Sequence, residues 1–439
     1  MNTISQCVQQ LDRATTGAEL HALAAELYPW CRSITGDGVR HTLQRLAREI
    51  PLTVHEVASG TAVLDWTVPP EWTLRDAWIK TSSGQKVVDF KECNLHVVSY
   101  SQPVHKHLSL DELLPRLHSR PDWPDVVPYR TSYYQPDWGF CMTESAKQAL
   151  RPDTYEVFIE AELQPGHLTY GEWVLPGTTP DEMLFSTHIC HPSLANDNLS
   201  GIVVATRLAA LLQSVEHKLT YRFIFVPGTI GAITWLARQA DAMPPIRHGL
   251  VLACLGDAGG PTYKRSRAGD QVIDRAVQLV LSQYDPPGDI RDFSPYGYDE
   301  RQFGSPGFNL PVGLLMRSPY GEFPEYHTSA DNLDFIRPPA LADSLHVLLQ
   351  VLEVLEGNAT FQNLQPYGEP QLGRRGLYDQ LGGANDARLE QQALLWVLNQ
   401  SDGNHSLLDI AERSSLSFPL IAQAAARLQQ SGLLRQGGE

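Results

Sequence analysis

Apolar and polar positions along this 439-residue chain fall into distinct textures. Residues 16–29 carry Leu20, Leu23 and Leu27 at helical spacing, with Thr16 and Glu19 placed as a capping box, and a second helix is expected over 37–48. From about Val54 to Leu163 the spacing changes to short alternating runs broken by Pro and Gly, among them TAVLDWTVP, RDAWIKT, KVVDF and EVFIEAEL, with LTYGEWVL following. Alternation with period two between turn residues marks strands, so this segment is expected to be an all-β unit. The tryptophans along these runs, Trp66, Trp72, Trp78, Trp123, Trp138 and Trp173, are expected in a core or at an interface rather than in a pocket wall.

After Gly177 the pattern becomes strand, helix, strand: MLFST, a helix over Leu199–Leu212, YRFIFVP, a helix over Ile230–Arg238, GLVLACL and a helix over Gln271–Ser282. Buried apolar runs alternating with amphipathic helices predict an α/β fold with a mainly parallel sheet flanked by helices. The expected division is a discontinuous α/β domain (1–54 and 165–365), an inserted β-rich domain (55–164), a Gly/Pro-rich linker (366–375) and a C-terminal domain (376–439). Three helices and a short terminal strand in the last of these predict a winged helix-turn-helix.

Charge narrows what that C-terminal domain can do. The whole chain has a formal net charge of −16. The putting of a helix into a DNA groove needs several cations on one face, and the expected recognition helix, SFPLIAQAAARLQQSG, has only Arg427. A protein-contact or dimerisation role, giving a homo-oligomer, is therefore expected over nucleic-acid binding. The six cysteines are scattered without CxxC pairs, which argues against a thiolate zinc site and a disulfide framework. No basic segment followed by an apolar run opens the sequence, and no run of about 18 apolar residues occurs, so a cytoplasmic location without a membrane partner is expected.

The richest chemistry lies in FSTHICHPSLANDNLSG, residues 185–201, at an expected strand-to-helix junction. His188, His191 and Asp197 are donors suited to zinc, and the carboxyl ends of strands are where open α/β sheets bind ligands. A turn with two solvated histidines would use the same residues. Three more segments follow the same placement at strand ends: VPGTIG with Gly228 and Thr229, LGDAGG with Asp257, and EYHTSADNLD with His327.

That order resembles the di-zinc exopeptidases of the bacterial-leucyl-aminopeptidase-like family. In HPSLANDNLSG and YDERQFGSPGFNLPV the chain resembles more closely a bacterial aminopeptidase-like family with an inserted β domain and a C-terminal winged helix, often associated with polysaccharide or natural-product gene sets. The resemblance covers roughly 15–55 and 165–360. It implies His188 as first ligand, Asp197 as a carboxylate bridging two zinc ions, Asp257 as third ligand and His327 as last. His191 is the alternative to His188, because the family's orienting Asp two residues after the first His is here Cys190.

The chain departs from that pattern at Gly228–Thr229, where the family carries a Glu–Glu pair whose first member is the general base. One zinc ion is therefore expected, with two as the alternative. Replacement bases are sought in Glu325 above all, and in Glu322, Asp299 and Glu300. Arg301, with Asp299, is a candidate for binding substrate, although a structural ion pair would use Arg301 equally well. The implied activity is zinc-dependent hydrolysis of a peptide or aminoacyl amide bond. The alternative is a catalytically silent metal-binding relative acting as a binding or scaffold protein. Serine or cysteine nucleophiles at Ser200 or Cys190 lack the motif context such catalysis requires.

Overall fold

A computed structural model describes residues 2–377 and 385–437; expectations falling on residues 1, 378–384 and 438–439 lie outside the described residues. Eight strands form the main sheet: β1 (Thr53–Ala58), β2 (His167–Leu175), β3 (Glu182–His188), β4 (Thr220–Val226), β5 (Ile246–Leu252), β6 (Thr262–Lys264), β7 (Asp289–Arg291) and β8 (Val312–Met316). Their order is β7-β6-β8-β5-β3-β4-β2-β1. The sheet is mixed. β8, β5, β3 and β4 run parallel, whereas β2 is antiparallel to β4 and β1, and β6 is antiparallel to β8.

Side-chain alternation along the central strands explains why they read as unbroken apolar runs. Met183, Phe185, Phe223, Phe225, Leu250 and Leu252 enter one core with the helices Arg13–Leu27, Gly201–Leu212, Val272–Ser282 and Pro338–Gly357. Leu184, Ile224, Val226 and Val251 point the other way, into a second core shared with the helix Ile230–Gln239 and with the inserted β segment. Both faces of the sheet are covered, as parallel sheets require. The insert contributes an antiparallel sheet ordered Lys86–Asp89, Glu71–Lys80, Thr154–Gln164, Val104–Ser109. Trp72 is buried in its core, while Trp66 is exposed.

The site is positioned by the topology. β3 is followed by a helix and then β4 on one side of it, and β4 is followed by a helix and then β5 on the other. The chain thus reverses direction about β3, and the loops after β3, β4 and β5 separate at its carboxyl end to leave a crevice.

Two local details differ from the sequence expectation. The first long helix starts at Arg13, capped by the Asp12 carboxylate accepting from the N–H groups of Ala14 and Thr15, so Thr16 is an interior buried residue and no cap. In the C-terminal unit, helices Asn385–Gln400, Leu407–Ser414 and Phe418–Gln430 are joined by a three-stranded sheet in which Thr360–Asn363 pairs with Asp402–Ser406 and Leu434–Gln436. The wing thus takes a strand from before the 366–375 segment. The unit is seated on the α/β core: Phe418 approaches Gly357 so closely that a Cβ there would lie 2.8 Å from its ring, and Arg275 reaches Asp409 and Glu412. Among the described residues, no helix is long and apolar enough to cross a membrane.

Candidate metal centre

Asp197 is fully buried and collects the site around its carboxylate. Oδ1 lies 2.9 Å from His188 Nε2 and accepts from the Tyr298 hydroxyl at 2.9 Å. Oδ2 lies 3.0 Å from His327 Nε2 and 3.2 Å from His191 Nδ1. His188 ends β3, His191 and Asp197 follow on the loop into the next helix, and His327 arrives from the loop before Pro338–Gly357. Sequence reasoning set His188 against His191; the fold brings both to the same carboxylate.

The loop 195–198 is held by Asp331, whose Oδ1 accepts from Asn196 N at 2.5 Å and Oδ2 from Asp197 N at 2.9 Å. Asn198 fills the space behind His188: its Nδ2 donates to Thr187 Oγ1 at 2.8 Å and lies 3.3 Å from His188 Nδ1, while its Oδ1 accepts from Cys254 N. Support for His188 thus comes from Asn198. Cys190 faces elsewhere, its sulfur accepting from Gly228 N at 3.2 Å, and burial pushes its thiol up to about 12.

Charge in the cluster follows from burial and mutual contact. Burial alone would raise Asp197, but the surrounding imidazoles more than offset it and hold the carboxyl well below its ordinary range. Burial lowers His188, whereas at His191 the pull of Asp197 outweighs burial and the imidazole is held above its ordinary value.

Asp257 stands apart from this set. Its Oδ1 accepts from Gly259 N at 2.7 Å and Ser318 Oγ at 2.6 Å, and its Oδ2 from Asn196 Nδ2 at 2.8 Å and Ser318 N at 3.2 Å. Four donors consume its lone pairs, so it ties the loops after β5 and β8 to the 196 loop instead of facing the histidines. This geometry does not bring Asp257 to the carboxylate that the histidines share.

At the end of β4, Thr229 has φ 63° and ψ −68°, and Ile230 N donates to Gly228 O at 3.0 Å. This is the rare and strained form of γ-turn. Its exposed N–H is taken by Asp299 Oδ1 at 2.8 Å. Asp299 is buried, and burial pushes its carboxyl up to about 7. A Cβ at Gly228 would stand 3.2 Å from Cys190 Sγ and 3.5 Å from His188 Cβ, so position 228 borders the histidine that ends β3.

The other acids divide clearly. Glu300 is buried against Lys264 Nζ at 2.8 Å, and Glu322 pairs with Arg291 on the surface, so both have structural partners. The Glu325 side chain forms no hydrogen bond with the cluster among the described residues; its backbone carbonyl accepts from Thr328 N and Thr328 Oγ1, shaping the turn that contains His327. Arg301 makes no ion pair among the described residues, and its Nε donates to Tyr298 O at 3.3 Å.

Tyr298 and Asp331 were missed by sequence reasoning. Both lie inside quoted motifs, YGYDERQF and YHTSADN, and a count of hydrogen-bonding side chains near each motif would have raised them. Tyr129, contributed by the insert, had no local signal at all; its ring stands edge-on to His191 and His327 at 5.2 and 5.1 Å.

A metal fits the donors present. Ligand atoms of His188, His191 and Asp197 lie within 4.8 Å of one another, and His327 joins them through Asp197. Three imidazole nitrogens and a carboxylate are a donor set that suits zinc.

Comparison with known proteins agrees with the fold. Residues 21–358 match the family described as Domain of unknown function (DUF4910), and residues 359–436 match a winged helix-turn-helix family. A protein of Clostridium acetobutylicum, provisionally named for polysaccharide biosynthesis and for an aminopeptidase-like domain, is 50% identical over 435 residues, covering 99% of this chain and 100% of that protein. A crystal structure from the same organism, described provisionally as a peptidase, superposes with a TM-score of 0.94 at 49% identity over 99% of both chains. The zinc aminopeptidase BSAP of Bacillus subtilis shares the fold at a TM-score of 0.56 and 13% identity, covering 77% of this chain and 95% of that one. The chain belongs to the DUF4910 family, an aminopeptidase-like α/β fold that here carries a small β unit and a C-terminal winged helix.

Proposed function

We propose that this protein is a zinc-dependent hydrolase of one metal ion that cleaves an aminoacyl amide or peptide bond. The observation that carries the reading is one buried carboxylate, that of Asp197, shared by His188, His191 and His327. Zinc, when bound, supplies Lewis acidity toward a carbonyl oxygen and makes a water easier to deprotonate. One ion fits better than two because Gly228 and Thr229 offer no carboxylate and Asp257 is fully hydrogen-bonded.

The chain's own groups then have distinct tasks. Asp197 and the three imidazoles hold the ion, and Tyr298 fixes the orientation of Asp197 by donating to Oδ1. The proton of the attacking water needs an acceptor, and Asp299 and Glu325 are the two carboxylates left for it. Asp299 is favoured: it sits against the turn at 228–229, where the family's base is attached, and its Oδ2 has no hydrogen-bond partner among the described residues. A carboxyl poised near neutrality suits proton transfer in both directions. Arg301, which forms no ion pair among the described residues, is available to a carboxylate on the substrate.

The name borne by the Clostridium relative supports an aminoacylated metabolite in polysaccharide metabolism as the substrate. Six cysteines without disulfides support a cytoplasmic site of action. A second reading, a silent metal-binding relative, is favoured by the missing Glu at Gly228 alone. The two are separated by assaying purified protein against a panel of aminoacyl amides while measuring bound metal. The proposal expects about one zinc per chain and turnover abolished in His327→Ala; zinc without turnover on any substrate would favour the silent reading, and absence of zinc would sink both.

A further inference from the structure

The segment that carries Tyr129 belongs to the insert, yet it is hydrogen-bonded to the loop that carries His327. Tyr129 N donates to His327 O at 2.8 Å, Ser329 N donates to Val127 O at 2.8 Å, and Val127 N donates to Ser329 Oγ at 2.9 Å. Pro128 and Thr328 form an antiparallel bridge between these bonds. One antiparallel bridge, with a side from each unit, thus clamps the histidine's own carbonyl and the two residues that follow it.

His327 needs such a clamp. Its φ is 55°, a conformation that a non-glycine residue leaves unless its surroundings hold it, and its side chain is the most exposed of the three imidazoles at 34%. The rings are also arranged in a closed set. Tyr129 meets His191 and His327 edge-on, and those two imidazoles meet each other edge-on at 5.2 Å. Tyr326 stacks on the other side of His327 at 3.9 Å. The Tyr129 hydroxyl is anchored 2.9 Å from that of Tyr133, also in the insert.

We infer that the inserted β unit is a working part of the metal centre, with Tyr129 a positioning residue that sets the orientation of His191 and His327 for the ion. The inference rests on the metal reading above. It goes beyond it in assigning ligand geometry to a unit that supplies no ligand. Coupling of this kind is reciprocal: if docking of 127–129 favours the ion, the ion must favour docking of 127–129.

The test uses the full-length chain with Tyr129→Phe, Tyr129→Leu and Tyr129→Ala, and reads zinc affinity by competition with a chromophoric chelator. Outer groups that orient metal ligands are worth roughly 10–100-fold in affinity, so Tyr129→Ala and Tyr129→Leu should bind zinc about that much more weakly. Tyr129→Phe, which keeps the ring, should stay within about threefold of the parent. Far-UV circular dichroism and the thermal midpoint of the metal-free proteins report whether each variant folds, and the Leu variant retains bulk if the Ala variant does not. Hydrogen exchange of the parent with and without zinc is the second readout, and zinc should slow exchange of the Tyr129 amide. Folded Leu and Ala variants that bind zinc like the parent, or an unchanged Tyr129 amide, would overturn the inference while leaving the metal reading intact. A parent chain that binds no zinc would remove both.

Discussion

Asp299 accepts the backbone N–H of Thr229 at 2.8 Å, joining a buried carboxyl to the strained turn at Gly228–Thr229, where the exopeptidase resemblance implies a glutamate pair. The contact holds the turn, and the proposed role as proton acceptor is separable from it. Asn can accept the same N–H but cannot take a proton at neutral pH. Asp299→Asn is therefore expected to fold and bind metal like the parent while turnover falls by roughly 10²–10⁴. Asp299→Ala should lose stability as well. Steady-state rates and thermal melts of the two variants check this, and an active Asp299→Asn moves the proton acceptor to Glu325.

The raised value of Asp299 also fixes a sign with pH. A carboxylate must be unprotonated to accept a proton, so turnover should rise with pH through about 7. Stability should move the other way. The folded chain holds a proton that the unfolded chain, with an ordinary value of 3.8, has released, so this residue's contribution falls between about 4 and about 7. Rate profiles and melts across that window, in the parent and in Asp299→Asn, isolate both effects.

Position 228 offers a direct reconstruction. A side chain there requires the Cys190 sulfur to give by a few tenths of an ångström, since the Cβ would stand 3.2 Å from it. Gly228→Glu should fold with a small loss of stability. With Asp299 already accepting the proton, its turnover should change by less than about tenfold; a gain of 10²–10⁴ would mean that the natural site lacks a base.

Asp197 and Asp257 are both buried aspartates at loop ends, but only the first lies in the described group with His188 and His191 whose donors could hold a metal. Metal analysis should find Asp197→Asn without zinc and Asp257→Asn with about as much as the parent. Asp257→Ala should instead destabilise the fold by on the order of 3 kcal/mol, because Gly259 N, Ser318 N and Asn196 Nδ2 lose their acceptor together. In the parent, zinc at about a hundredfold excess over its Kd should add about 2.7 kcal/mol of stability, removable by chelator.

Arg427, the only cation of the helix Phe418–Gln430, pairs with Glu390 at 3.2 Å. A helix whose one positive charge is already engaged has little to offer phosphates. Titration of the chain with duplex DNA should show no tight binding that weakens with salt; such binding would overturn the protein-contact reading of the winged helix.

The parts of this molecule that were legible in its sequence are those where neighbours in the chain are neighbours in space. The runs MLFST and YRFIFVP announce parallel strands because each is buried on both faces, and His188, His191 and Asp197 stand close in one motif at a strand end, which marks them as candidates to converge. Asp257 shows the limit. An aspartate at a strand end before glycines has the same local appearance whether it faces a metal or caps a turn, and only Ser318 and Asn196, distant in sequence, decide which. Tyr129 was illegible for the same reason: its contacts with His191 and His327 span the junction between two units.

The burial of the central sheet on both faces limits how far the chain can be pared down. Excising the insert to leave a shorter chain would remove part of the cover over Leu184, Ile224, Val226 and Val251, which the helix Ile230–Gln239 shares, and would lay apolar surface open to water beside the crevice. Apolar surface laid open in that way favours association between copies of the shortened chain. The unit that gives the chain its extra length thus also shields part of the apolar face of its central sheet.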